Sequence, residues 1–185
     1  MSEAAAPAQT VALFDRPLPP GYRDELRALE AEAQAAAPNR AGSMLLFQLG
    51  AVRLALPTRV ASAVAPVLHI ARIPHRSGTV LLGLAAFRGE ILPCCSLSRI
   101  LDLPGNAEHS ESATARTLIL KELNGRSWAI PIDGVLGVRT GAGRPSDTTA
   151  PIAAQWLQGS FEDEAGAFHL LDPEVLFRQI TLATA

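Results

Sequence analysis

The chain is short of most of the residues that mark a small secreted scaffold, a nucleic-acid binder or a membrane protein. It has only two cysteines, Cys94 and Cys95, and they are adjacent. Adjacent cysteines cannot build a disulfide framework or a zinc cluster. Aromatic residues make up 5% of the chain, and no sugar-binding aromatic cluster is present. Charge is nearly balanced, with 16 Lys and Arg against 18 Asp and Glu. No basic field is available to neutralise a phosphate backbone, which argues against nucleic acid as a partner. No run approaches the roughly 18 apolar residues of a membrane span. The opening MSEAAAPAQT has neither the basic start nor the apolar core of a signal peptide. The expected location is therefore cytoplasmic, and two free thiols fit a reducing compartment.

What is present is a β pattern. Residues 1–42 differ from the rest: an Ala/Pro-rich start expected to be disordered, then GYRDELRALEAEAQAAA, rich in helix formers. Tyr22, Leu26, Leu29 and Ala33 fall on one helical stripe, so a helix is expected over about 20–37, resting on its own domain or docking a partner. From Ser43 onward, short apolar runs alternate with Gly, Pro, Asn and Asp. Strands are expected at 44–49, 52–56, 79–82, 90–95, 117–123, 127–132 and 167–171. Asn124-Gly125 and, less distinctly, Leu49-Gly50 are hairpin turns in this reading.

The pattern repeats. LFQLGAVRLALPTRVASAV, from Leu46, matches LKELNGRSWAIPIDGVLGV, from Leu120, in its order of strand, turn, strand and proline. Further on, Gly83 pairs with Gly159 and Ser96 with Asp172, at an offset of about 75 residues. Two similar β units follow, each too small to cover both faces of its sheet. Packing two small barrels together would bury those faces.

Three segments carry a resemblance to a known family. They are Leu82-Gly83-Leu84-Ala85-Ala86-Phe87-Arg88-Gly89-Glu90-Ile91-Leu92-Pro93, the stretch Ala129 to Val138, and Leu170-Leu171-Asp172-Pro173-Glu174-Val175-Leu176. In this order and spacing they resemble the CheW-like family of chemotaxis adaptors, over 43–181. The resemblance implies a mainly β fold of two five-stranded SH3-like β-barrels packed together, after an N-terminal helical extension. It implies a non-catalytic adaptor, without a cofactor, that couples methyl-accepting chemoreceptors to a CheA-type histidine kinase. The receptor's cytoplasmic tip would enter a groove, and the kinase's regulatory domain would pair with a barrel end. Recruitment to membrane receptor arrays follows from the same resemblance. Leu13 to Tyr22 further resembles the stretch before the domain in WspD-type adaptors of surface-sensing pathways. Two departures from the family pattern, Ala63 at an acidic position and Ser96-Leu97-Ser98 in place of Asp-Leu-Arg, imply a specialised cognate kinase.

Arg88-Gly89 is the leading partner-binding candidate. Gly89 permits a tight turn with positive φ, and Arg88 offers five donors to a partner's carboxylates or carbonyls. Phe87, Ile91, Val60, Val64 and Leu84 are expected to line the apolar groove beside it. The competing readings are weaker. Cys94 or Cys95 would need a base to serve as nucleophile, with one of the two expected to point inward. His69, His75, His109 and His169 show no metal spacing and read as ordinary surface or edge residues. Asp133 before Gly134 reads as turn chemistry. Gly141-Ala142-Gly143 lacks the Lys-Ser/Thr of a phosphate loop. A stand-alone kinase regulatory domain would have the same fold with a different partner arrangement.

Overall fold

Why the domain is β from end to end is visible in its first strand. In the computed structural model, which describes residues 42–103, 113–141 and 144–184, SMLLFQL forms β1 (Ser43–Leu49). Leu45, Phe47 and Leu49 point into one apolar cluster, and Met44 and Leu46 into another. A strand buried on both faces needs a continuous apolar run, and this one has it. The chain divides into two units, Met1–Asn39 and Arg40–Ala185, and everything described lies in the second. The helix expected over 20–37 lies outside the described residues.

Eleven more strands follow: β2 (Val52–Pro57), β3 (Ala61–Ala65), β4 (Ile70–Ala71), β5 (Leu81–Phe87), β6 (Glu90–Cys95), β7 (Arg116–Lys121), β8 (Ser127–Ile132), β9 (Gly134–Thr140), β10 (Arg144–Pro145), β11 (Leu157–Asp163) and β12 (Gly166–Leu171). A short helix α1 (Leu97–Ile100) follows β6, and α2 (Pro173–Thr184) follows β12. The strands form two six-stranded sheets. Sheet one runs β10-β11-β12-β2-β1-β9, and sheet two runs β3-β7-β8-β6-β5-β4.

The sequence repeat and the sheets do not coincide. Sheet one takes β1 and β2 from the first repeat and β9 to β12 from the second. Sheet two takes β3 to β6 from the first and β7 and β8 from the second. Each repeat therefore lends its opening hairpin to the other's sheet. Each exchanged hairpin is held on both sides: antiparallel by β1–β9 and β3–β7, and by short parallel pairings, His169 and Leu170 against Leu54 and Ala55 in one sheet, Cys94 against Ala129 in the other. The symmetry extends to detail. Both β5 and β11 carry a bulge, just before Gly83 and just before Gly159. Ser96 precedes α1 and Asp172 precedes α2, where Asp172 Oδ1 accepts from the Glu174 and Val175 amides at 2.8 and 3.2 Å. That is a helix N-cap.

Three apolar clusters hold the structure. The main one lies where the sheets face each other and includes Phe47, Leu54, Leu118, Ile130, Trp128, Trp156 and the inner face of α2. A second, on the far side of sheet two, gathers Ala85, Leu92, Cys94, Ile119 and Ala129. A third, on the far side of sheet one, gathers Met44, Leu46, Ala55 and Phe168, with Phe161 stacked on Phe168 at 5.8 Å. Sheet one is strongly curled. β9 and β11 are four strand spacings apart in hydrogen-bond order, roughly 19 Å if flat. Yet Arg139 Nε of β9 lies 3.4 Å from Asp163 Oδ2 at the end of β11.

Several boundaries differ from expectation. The strand expected at 79–82 begins at Leu81 and runs to Phe87. Gly83 and two alanines hid it, because a strand there is set by the neighbouring backbone, with Ala71 O pressed against Gly83. β7 stops at Lys121, since Glu122 to Arg126 form the turn, with the Glu122 amide donating to Arg126 O at 2.8 Å. β3, β4, β9, β10 and β11 and the helix α2 were not anticipated.

Candidate functional site

The Arg88-Gly89 turn closes the β5–β6 hairpin. Phe87 and Glu90 are its last pair, leaving two residues in the turn. Both have positive φ, 49° at Arg88 and 84° at Gly89. Two successive positive φ values define the primed turn whose twist matches a right-twisted hairpin. An added Cβ at Gly89 would meet nothing within 4 Å, so glycine is needed there for its backbone and not for space. Arg88 holds a left-handed conformation that costs a non-glycine residue about 1 kcal/mol or more. Its guanidinium sits 5.1 Å from the Phe87 ring centroid, a cation–π contact that orients it. Arg88 is exposed, and no carboxylate among the described residues pairs with it.

The strand register assigns each neighbour a face. Ala86 opposes Ile91, and Leu84 opposes Pro93, so these four share one face of the hairpin. Farther along β6 the same face carries Cys95 into the main cluster. Ile91 stands at its open end, 72% exposed. Phe87 belongs to the other face, with Ala85 and Leu92. Sheet one offers a matching row. Val138 opposes Leu45 and Val135 opposes Phe47, so both stand on the face that forms the main cluster. Yet Val138 is 63% exposed and Val135 is 39% exposed. The exposed apolar rows of both sheets thus continue the shared core outward, where it runs out of partners.

The remaining candidates separate. Val64 is half-exposed, on β3 at one edge of sheet two, three strand spacings from β6. Val60 is buried in the main cluster and lines a different cleft, beside α2. The structure therefore brings together Arg88, Gly89, Leu84 and Ile91, places Phe87 beneath Arg88, and sets Val60 and Val64 elsewhere. Val135 and Val138 were missed as site residues. Their signal was present in the Ala129 to Val138 segment, whose final apolar residues continue beyond the end of β8.

Both cysteines are buried, one on each face of β6: Cys94 in the second cluster and Cys95 in the main one. Only one was expected to point inward. Burial raises the Cys94 thiol to about 12, and burial together with the neighbouring Cys94 raises Cys95 to about 12. Burial disfavours the thiolate at both positions, which weighs against the thiol-nucleophile reading. His69 and His75 are exposed as expected, and His109 lies outside the described residues. His169 is not a surface residue. It is buried beside Ser160, whose Oγ lies 2.9 Å from Nδ1, and burial lowers its pKa. Among the described residues no group of three metal-ligating side chains occurs. Asp133 does turn work: its carboxylate accepts the Gly50 amide and ties the β1–β2 turn to the β8–β9 junction. No helix among the described residues is long and apolar enough to cross a membrane.

The structure is a curled two-sheet β domain with hairpins exchanged between its halves, and it carries an apolar, Arg-tipped surface at the β5–β6 turn. Residues 43–181 match the CheW-like domain, and the chain belongs to that family. The scaffolding protein TtCheW from Thermoanaerobacter tengcongensis has a similar fold, with a TM-score of 0.61 and 19% sequence identity. The alignment covers 74% of this chain and 87% of that one. Comparison with curated protein sequences gave no match.

Proposed function

We propose that this protein is a non-catalytic chemosensory adaptor that couples methyl-accepting chemoreceptors to a CheA-type histidine kinase. The observation that carries this reading is the β5–β6 turn. It spends backbone strain to present an unpaired arginine at the end of an exposed apolar row, in a fold of the CheW-like family. A receptor tip is a helical hairpin. Its apolar side chains would lie along Leu84, Ile91, Val135 and Val138, and its carboxylates or carbonyls would meet Arg88. In this reading each curled sheet is a small SH3-like barrel around its own cluster, and the end of one barrel pairs with the kinase's regulatory domain. Residues 43–181 form the adaptor domain and 1–42 an extension. The protein works in the cytoplasm, at receptor arrays. The likeness of Leu13 to Tyr22 to WspD-type adaptors supports a surface-sensing pathway as the one served.

The test is reconstitution with a receptor cytoplasmic fragment and a CheA-type kinase. Arg88→Glu is expected to abolish co-sedimentation with the receptor. Its circular dichroism and melting temperature should stay unchanged, because Arg88 has no ion-pair partner among the described residues. A folded Arg88→Glu protein that still binds receptor and couples the kinase would sink the assignment.

A further inference from the structure

The internal symmetry sets two equivalent corners side by side for comparison, and they are built differently. At one, the Asp133 amide donates to Gln48 O at 3.0 Å. At the other, 73 residues on, the Lys121 amide donates to Val60 O at 2.9 Å. In the bulged registers Val135 against Phe47 answers to Ala61 against Leu120, so Arg59 occupies the place of Asp133, and Leu123 the place of Gly50. The first corner is latched by the Asp133 carboxylate on the Gly50 amide, over a two-residue turn. The second has no such latch. Its turn, Glu122 to Arg126, is longer and carries Leu123 out to 95% exposure.

The unlatched corner opens into a cleft of about 550 Å³ between this turn and α2. Val60 and Phe177 form its floor, both buried in the main cluster. Leu123 and Leu182 stand on its rim, and Leu182 is 65% exposed. The wall runs along α2 from Pro173 to Leu182, ten residues, about 14 Å of helix. A small molecule filling the floor would leave both rim leucines in water, so the shape calls for a longer body. Two and a half turns of a second helix, laid along α2, would cover floor and rim together.

The charges select among helices. Arg126 is engaged with Glu122 at 3.0 Å. Arg59 and Arg178 also line the cleft, are exposed, and have no carboxylate within ion-pair distance among the described residues. The cleft's carboxylates are Glu122, engaged with Arg126, and Glu174, one helical turn before Arg178 on α2, so the arginines outnumber them by one. Two such arginines flanking an apolar floor favour acidic residues beside an apolar stripe. We infer that the α2 cleft docks an acidic amphipathic helix of a partner protein, on a surface separate from the Arg88 face. None of Leu84 to Pro93 lines the cleft. β6 and β8 run parallel, so the Arg88 turn and the Leu123 turn stand at the same end of sheet two. One partner could reach both.

The experiment uses the full chain and two fluorescein-labelled 18-residue model helices. Both carry leucines at i, i+4, i+7 and i+11; one is filled with glutamates and the other with lysines. Anisotropy should show binding of the glutamate helix alone. Arg59→Glu with Arg178→Glu should weaken it about tenfold or more. Leu123→Ser, which touches no core contact, should weaken it as well, and Arg88→Glu should leave it unchanged. A photo-crosslinker placed at Leu123 in cells should then map to an acidic amphipathic segment of another protein. Equal binding of the two helices, no binding of the glutamate helix, or indifference to the double reversal overturns the inference. So does a crosslink mapping to this chain's own residues or to a second copy. Arg88→Glu separates its failure from that of the adaptor reading, since that variant disables only the latter.

Discussion

Asp163 is the keystone of sheet one, and replacing it with asparagine measures how much the curl depends on charge. Arg53 Nη1 and Nη2 donate to the two Asp163 oxygens at 3.0 and 3.1 Å, and Nη1 also donates to Gly166 O at 2.8 Å. The Ala165 amide donates to Oδ1 at 2.9 Å, and Arg139 approaches Oδ2 from β9. Asp163 is nearly buried, with 4% of its side chain exposed, Arg53 has 19% and Arg139 has 43%. Asparagine keeps the Ala165 bond and one Arg53 bond. It loses the charge and half of the bidentate fork. A charge-assisted bond to a mostly buried arginine is worth about 1.5–3 kcal/mol, and the exposed Arg139 pair adds about 0.5 kcal/mol or less. The expected loss at neutral pH is about 2 kcal/mol, or roughly 7 °C in melting temperature for a domain this size. Urea unfolding followed by tryptophan fluorescence reads it directly, because Trp128 and Trp156 are both buried in the main cluster.

The pH dependence gives a second, independent check. The Arg53 hydrogen bonds hold the Asp163 carboxyl below its ordinary value. A carboxylate depressed on folding contributes stability that is present above its unfolded pKa, about 3.9. That stability is lost as pH falls through the lower folded value. The gap between wild type and Asp163→Asn should therefore be full at pH 7 and close below about pH 4. A gap that stays constant with pH would show that the asparagine acts by shape and that the charge contributes nothing.

Other outcomes follow from local geometry. Gly83→Ala should cost about 3 kcal/mol, because a Cβ there would lie 2.3 Å from Ala71 O at a φ of 153°, and the β4–β5 pairing must break to make room. Loss of the variant from the soluble fraction, or a matching fall in urea midpoint, is the readout. Cys94 and Cys95, with thiols raised to about 12, should resist Ellman's reagent in the folded protein at neutral pH and react at once in urea. Fast native labelling of either would mean that β6 opens. Val138→Asp should weaken receptor binding while leaving stability within about 0.5 kcal/mol, since Val138 is mostly exposed; a variant that unfolds would instead place Val138 in the core.

The sequence determined by itself that this is a β protein, that it is doubled, and that Arg88-Gly89 sits in a tight turn. Apolar runs with Gly and Asn-Gly between them leave little else for the chain to form, and the Gly at position 89 marks a tight turn. Helix α2 was not read from the sequence: Asp172 before Pro173 and Glu174 is a start signal, but the β-branched and aromatic residues after it masked the helix. What lay beyond the sequence was which strands share a sheet. Each repeat carries the same hairpin, and nothing local distinguishes pairing within a repeat from pairing across repeats. The choice is made by burial: exchanged hairpins turn Leu45, Phe47, Leu118 and Ile130 onto one common core. The same exchange decides the site. It carries Val135 and Val138 onto the face of the shared core, buries Val60, and leaves one of two equivalent corners open. Side-chain period along a strand names two faces, but only the partner sheet decides which of them water will see.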